Sequence, residues 1–191
     1  MADGSELGSG PASVSHDVVT IPNILTFGRI CLVPVGVWLV LREDYAAAAG
    51  LFVIAGLTDA FDGWLARRRG ITTIGTLLDP LADKLLLISM FVALAGVGLL
   101  PIWLAILVVF RDLLIVGGIG LLRLIGSPIT VRPLIVSKIN TAAQIVLVAA
   151  ALAERGFHVH PPYLRPALVA VVAVTTLISG AAYVLRGVRL A

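Results

Sequence analysis

A single cysteine, Cys31, stands in the chain, inside an apolar run. It excludes a disulfide framework and a thiolate metal site, and fits a small core-filling residue. Histidine is scarce too. His16, His158 and His160 all lie away from the acidic stretch, and the last two fit a solvated loop. Charge is also sparse: 13% of 191 residues are Asp, Glu, Lys or Arg, whereas 59% are hydrophobic. That balance excludes an ordinary soluble domain and points to a polytopic membrane protein. No nucleic-acid partner is expected. Residues 1–17, MADGSELGSGPASVSHD, show no basic region ahead of an apolar core, so a cleavable signal peptide is not expected there. Small and polar, residues 1–20 are expected to form a disordered cytoplasmic tail, with one membrane domain over 21–191.

What the chain has in quantity is long apolar runs. A bilayer core of about 30 Å takes ~20 helical residues. Six runs qualify, at 21–41, 45–66, 73–98, 101–124, 134–153 and 162–185, which predicts an all-α integral membrane protein with six transmembrane helices. Pro22 suits a helix start, and Pro34 predicts a kink in the first span. Arg29 is expected to snorkel to an interface. Arg67, Arg68 and Arg69 suit the C-terminus of the second span, and Gly70 can end it. The residues from Glu154 to Pro161 read as a polar loop. Trp38, Trp64 and Trp103 lie toward span ends and fit interfacial anchoring.

Six spans put both termini on one side. That side holds Arg29, Arg67, Arg68, Arg69, Arg123, Arg132, Lys138, Arg186 and Arg189. The other holds Arg42, Arg155 and Arg165. Nine against three predicts cytoplasmic termini.

Against this background the stretch TDAFDGWLARRRGITTIGTLLDPLADK, from Thr58 to Lys84, stands out. A carboxylate near the middle of a membrane helix costs roughly 2.5–3.5 kcal/mol on insertion scales. Here Asp59, Asp62, Asp79 and Asp83 fall in one hairpin between apolar flanks, and the predicted orientation puts all four in its cytoplasmic half. Asp59 and Asp62 are about 4.5 Å apart along a helix axis, and Asp79 and Asp83 about 6 Å. Two such pairs on facing helices can hold two hard divalent cations ~3.5–4 Å apart. All-carboxylate oxygen ligands select Mg²⁺ or Mn²⁺ over zinc. Without cations the four would repel one another and take up protons. Gly75, Asp79 and Asp83, spaced by four, share a face. Pro80 frees the Thr76 carbonyl and predicts a bend that presents Asp79. Gly56, Gly63 and Ala66 leave one side of the second span bare, either for close helix packing or for a flat ligand such as a nucleotide.

The pattern DxxDGxxAR, then G, then DxxxD resembles the signature of the CDP-alcohol phosphatidyltransferases. Asp59, Asp62, Gly63, Ala66, Arg67, Gly75, Asp79 and Asp83 match it position by position. Seven residues separate Arg67 from Gly75, one fewer than in the bacterial members compared, which shortens the intervening turn. The resemblance implies a six-helix bundle, a homodimer, an active site open to the cytoplasm and a CDP-linked lipid donor such as CDP-diacylglycerol. It implies that Asp59, Asp62, Asp79 and Asp83 hold two metals, that Asp83 doubles as base, and that Asp59, Gly63, Ala66 and Arg67 contact the cytidine nucleotide. Asp83 is then the expected catalytic residue, taking the proton of the attacking hydroxyl.

IPNILTFGR at the start of the first span and DPLADK in the third look like the phosphatidylglycerophosphate synthase and cardiolipin synthase branches. SKINTAAQIVLV and the FRD at Phe110 to Asp112 are more similar to the eukaryotic-type cardiolipin synthases, whose acceptor is phosphatidylglycerol; the other branch uses glycerol 3-phosphate. Both acceptors carry phosphate, so Arg111, Arg123, Arg132 and Lys138 suit either. For Arg132 a topology-setting loop charge is the plainer reading, and for Arg111 a pair with Asp112. Intramembrane carboxylates also mark ion-coupled transporters. A transporter would not need Gly63, Ala66, Arg67 and Gly75 at fixed offsets. Nor do the last three spans, whose one acid is Asp112, repeat the acidic pattern.

Overall fold

The computed structural model describes the backbone over residues 21–69, 75–124, 135–159 and 161–188, and the side chains over 28–58, 84–118, 135–159 and 161–185. The described residues form six helices: α1 (Ile21–Leu41), α2 (Tyr45–Arg69), α3 (Gly75–Gly96), α4 (Ile102–Leu124), α5 (Ile135–Gly156) and α6 (Leu164–Val188). Among the described residues there is no strand. α1 runs unbroken through Pro34. α5 continues beyond the apolar run and takes in Glu154, expected in a loop. The reason is tertiary: Glu154 is buried, and its Oε2 lies 3.4 Å from Nε of Arg165 on α6. Arg29 departs from expectation as well, being buried rather than drawn out to an interface.

Two short turns join helices at one end of the bundle, and each stops a helix by the same device. After α1, Asp44 N donates to Leu39 O and Glu43 N to Val40 O, with Glu43 at φ 61°. After α3, Leu99 N donates to Leu94 O and Gly98 N to Ala95 O, with Gly98 at φ 75°. Both are Schellman closures, which need a left-handed residue just past the helix. Asp44 then starts α2, its Oδ1 accepting from Ala47 N at 3.2 Å. Arg165 adds a tie at this end by donating from Nη1 to Leu99 O at 3.3 Å.

Helix neighbours run in a ring, α2–α1–α3–α4–α6–α5 and back to α2, and α3 also touches α5 across it. The bundle is thus two four-helix groups sharing α3 and α5. Val40, Ala48, Phe52, Met90, Leu94, Leu104, Val108, Leu147, Leu152 and Val172, from all six helices, belong to one continuous buried core. Small residues bring backbones close. A Cβ on Gly156 would meet Cα and N of Ala46 at 2.8 Å, so the end of α5 lies directly on the first turn of α2. Among the described residues α2 and α3 do not touch, since α1 and α5 flank both.

Polarity is inverted relative to a water-soluble bundle. Trp38, Ile54, Leu57, Ile102, Trp103, Ile106, Phe110 and Leu113 are exposed, while Arg111, Asp112, Asn140, Gln144, Thr176 and Ser179 are buried. An apolar exterior this extensive suits a lipid surround. Two helices, α5 and α6, have described stretches long and apolar enough to cross a membrane; α1, α2 and α3 contribute the shorter apolar stretches Gly28–Leu41, Tyr45–Thr58 and Lys84–Gly96.

Candidate active site

The signature residues fall on two helices. Asp59, Asp62, Gly63, Ala66 and Arg67 lie on α2, and Gly75, Asp79 and Asp83 on α3. Helical backbone over both stretches gives the spacings their meaning. Positions 59, 62, 63 and 66 share one face of α2, and 75, 79 and 83 one face of α3. The side chains of all eight lie outside the described residues; the backbone of α3 continues as helix through Pro80. Among the described residues no three His, Cys, Asp or Glu gather as a metal site. The chemistry of the donor set itself fits a hard cation: four carboxylates, no sulfur, no imidazole.

Directly after Asp83 in the chain comes a charged cluster. Lys84 Nζ on α3 lies 3.0 Å from Asp112 Oδ1 on α4. The same oxygen accepts from Arg111 Nη1 at 2.6 Å. Arg111 Nη2 donates to Ser137 Oγ on α5 at 2.7 Å and to Ser179 Oγ on α6 at 2.5 Å. Asp112 and Arg111 are 4% and 3% exposed, whereas the Lys84 side chain keeps 34% of its surface. Removing such charges from water costs several kcal/mol each, and only close hydrogen-bonded pairing offsets it. Two cations share one anion, so the cluster carries a net charge of about +1. It joins α3, α4, α5 and α6 at one level.

One turn further along α5, Asn140 is fully buried against α6. Thr176 Oγ1 lies 2.9 Å and Thr175 Oγ1 2.8 Å from Asn140 Oδ1. Thr175 Oγ1 also lies 2.8 Å from Val171 O, and one hydroxyl proton cannot serve both acceptors. With the amide turned over, Asn140 Nδ2 donates to both hydroxyls and the conflict disappears. Ser137, Asn140 and Gln144 thus form an inward polar stripe on α5.

Of the four cations expected to meet phosphate, Arg111 has its two Nη groups committed to Asp112, Ser137 and Ser179; its Nε is buried without a partner. The plainer reading of Arg111, a pair with Asp112, is the one observed. Lys138 does not join the cluster: it stands on the exposed face of α5 beside Ile135 and Ile139. Arg123 and Arg132 lie outside the described side chains. Sequence reasoning passed over Lys84, Ser137 and Ser179. The spacing of 137, 140 and 144, three and four residues apart, was the available signal for an inward face.

Comparison with known proteins places this geometry. Residues 19–181 match the family model described as CDP-alcohol phosphatidyltransferase. A Homo sapiens protein named cardiolipin synthase (CMP-forming) is 37% identical over 169 residues, covering 78% of this chain and 56% of its own length. The Oryza sativa chloroplastic CDP-diacylglycerol–glycerol-3-phosphate 3-phosphatidyltransferase 1 is 36% identical over 175 residues, covering 81% and 53%. The Bacillus subtilis protein named CDP-diacylglycerol–glycerol-3-phosphate 3-phosphatidyltransferase is 35% identical over 150 residues, covering 69% and 76%. The chain spans about half the length of the human and rice relatives.

Proposed function

The chain belongs to the CDP-alcohol phosphatidyltransferase family, and from that premise we propose that it transfers the phosphatidyl group of CDP-diacylglycerol to a glycerol-type alcohol, releasing CMP. The observation that carries this reading is the placement of Asp59, Asp62, Gly63 and Ala66 on one face of α2, with Arg67 next to them in the chain, and of Gly75, Asp79 and Asp83 on one face of α3, inside the matched region. The protein sits in the membrane as six spans, with termini and active site cytoplasmic. The inverted polarity of the bundle supports the spans, and the nine-to-three bias of Lys and Arg supports the orientation.

Asp59, Asp62, Asp79 and Asp83 hold two divalent cations, Mg²⁺ or Mn²⁺. Bound there, they supply positive charge beside the pyrophosphate of the donor. Asp59, Gly63, Ala66 and Arg67 receive the cytidine nucleotide, the small residues giving it room against the backbone. The acceptor hydroxyl oxygen forms a bond to the phosphorus of the phosphatidyl group. The bond from that phosphorus to the bridging pyrophosphate oxygen breaks, CMP leaves, and Asp83 takes the hydroxyl proton. Arg123, Arg132 and Lys138 supply contacts for acceptor or lipid phosphate. Arg111 contributes through the net positive field of its cluster with Lys84 and Asp112. A homodimer is the assembly proposed.

Phosphatidylglycerol is the favoured acceptor, which would make the product cardiolipin. The 37% identity to the human cardiolipin synthase and the SKINTAAQIVLV stretch support that choice. Glycerol 3-phosphate is the second reading, supported by the rice and Bacillus relatives at 36% and 35%. The test offers purified protein radiolabelled CDP-diacylglycerol with Mg²⁺ or Mn²⁺, and phosphatidylglycerol, glycerol 3-phosphate or inositol phosphate in parallel. Labelled cardiolipin with phosphatidylglycerol alone is expected. Labelled phosphatidylglycerophosphate selects the second reading, and no CMP release with any alcohol contradicts phosphatidyl transfer.

A further inference from the structure

Asp112 Oδ1 takes two cations at once, Lys84 from α3 and its neighbour Arg111, and Arg111 carries the chain on to Ser137 and Ser179. Burying the Arg111 and Asp112 charges is a poor route to stability, because apolar residues of similar volume do as well or better. Charged hydrogen bonds supply direction instead. The level at which they act is informative. Lys84 follows Asp83 immediately, so its Cα lies about 1.5 Å further along α3 and about 100° around the axis. Its neighbour Leu85 is exposed, and Leu86 and Leu87 after it are buried. Among the described side chains of α3, the tie from Lys84 to Asp112 is the polar contact nearest the acids. Holding Lys84 fixes the rotation of α3, and with it the directions in which positions 79 and 83 leave the helix.

We propose that Asp112 is a positioning residue for the carboxylates of α3. Through Lys84 it sets the rotation at which Asp79 and Asp83 meet Asp59 and Asp62 around the cation pair. This rests on the cation reading given above.

Lys84→Met separates positioning from simple electrostatics by sign. The substitution removes the tie and leaves the Asp112–Arg111 pair intact. Loss of a nearby positive charge alone makes a divalent cation bind more tightly. Loss of alignment makes it bind more weakly, and supporting contacts of this kind typically change metal affinity by 10–100-fold. Mn²⁺ is titrated into the purified full chain in detergent and followed by electron paramagnetic resonance, with melting temperature as the check on folding. The apparent Kd for Mn²⁺ is expected to rise about tenfold or more in Lys84→Met and in Asp112→Asn, and Lys84→Arg is expected to restore wild-type binding. Should Lys84→Met not fold, Lys84→Gln carries the same expectation. Unchanged or tighter Mn²⁺ binding in folded Lys84→Met overturns the proposal, and so does a wild-type chain that binds no Mn²⁺. A wild-type chain that binds Mn²⁺ but releases no CMP refutes phosphatidyl transfer and leaves this titration decisive.

Discussion

Replacing Gly156 by alanine puts a methyl group 2.8 Å from both Cα and N of Ala46, and 3.0 Å from the carbonyl carbon of Tyr45. Carbon atoms in good contact stand about 3.5–4.0 Å apart, so one backbone must retreat by about 0.7 Å. The first turn of α2 cannot give way easily. Its start is held by the Asp44 cap on Ala47 and by the backbone closure that ends α1. Overpacking against a fixed neighbour costs about 1–3 kcal/mol. The helical preference of alanine over glycine returns at most about 1 kcal/mol, and less at the last residue of a helix. A net loss of about 1–2 kcal/mol is expected, which lowers the melting temperature by about 2–8 °C in a chain of this size. Gly50→Ala in α2 is the control, because nothing lies within 4 Å of its added carbon. Thermal unfolding in detergent compares the two. A Gly156→Ala chain that melts at or above both wild type and Gly50→Ala would refute the close approach of α5 to α2.

Asp83→Asn is expected to cut CMP release by at least about 10²-fold, the usual contribution of a positioned base, while the chain still inserts and fractionates with membranes; turnover near wild type would remove Asp83 from the chemistry. Arg165→Ala leaves the buried Glu154 carboxylate without its 3.4 Å partner and frees Leu99 O. Because Arg165 is partly exposed, the expected loss is about 1 kcal/mol; adding Glu154→Gln should recover part of the lost melting temperature. Asn140→Ala removes the α5–α6 contact to Thr175 and Thr176. Interhelical hydrogen bonds of this kind average about 0.6 kcal/mol in lipid, so a fall of a few degrees in melting temperature is expected, with Mn²⁺ binding unchanged.

The number of helices and most of their limits were legible because apolar runs of bilayer length, bounded by Pro, Gly and charge, have few alternative foldings. The first span coincides with α1 from Ile21 to Leu41. Limits moved where tertiary contacts recruit polar residues, as at Glu154, whose burial with Arg165 extends α5. The distance of Arg29 from the helix end suggests an interfacial residue; its burial depends on which helix packs beside it, and no periodicity in α1 carries that. The acidic positions were legible because helical spacing alone puts 59 with 62 and 79 with 83. The cluster that follows them was only half legible. Adjacent Arg111 and Asp112 announced a pair, but Lys84, Ser137 and Ser179 come from three other helices and meet it only once the ring α3–α4–α6–α5 has closed. The contacts of the acids themselves lie outside the described residues.

The pooling of Asp59, Asp62, Asp79 and Asp83 around two cations is tested most directly by electron paramagnetic resonance of the Mn²⁺-loaded wild-type chain. Two Mn²⁺ per chain, magnetically coupled as ions about 3.5–4 Å apart should be, are predicted, and Asp79→Asn should abolish the coupling. Fewer than two ions per chain, or two that show no coupling, would contradict a shared site between α2 and α3.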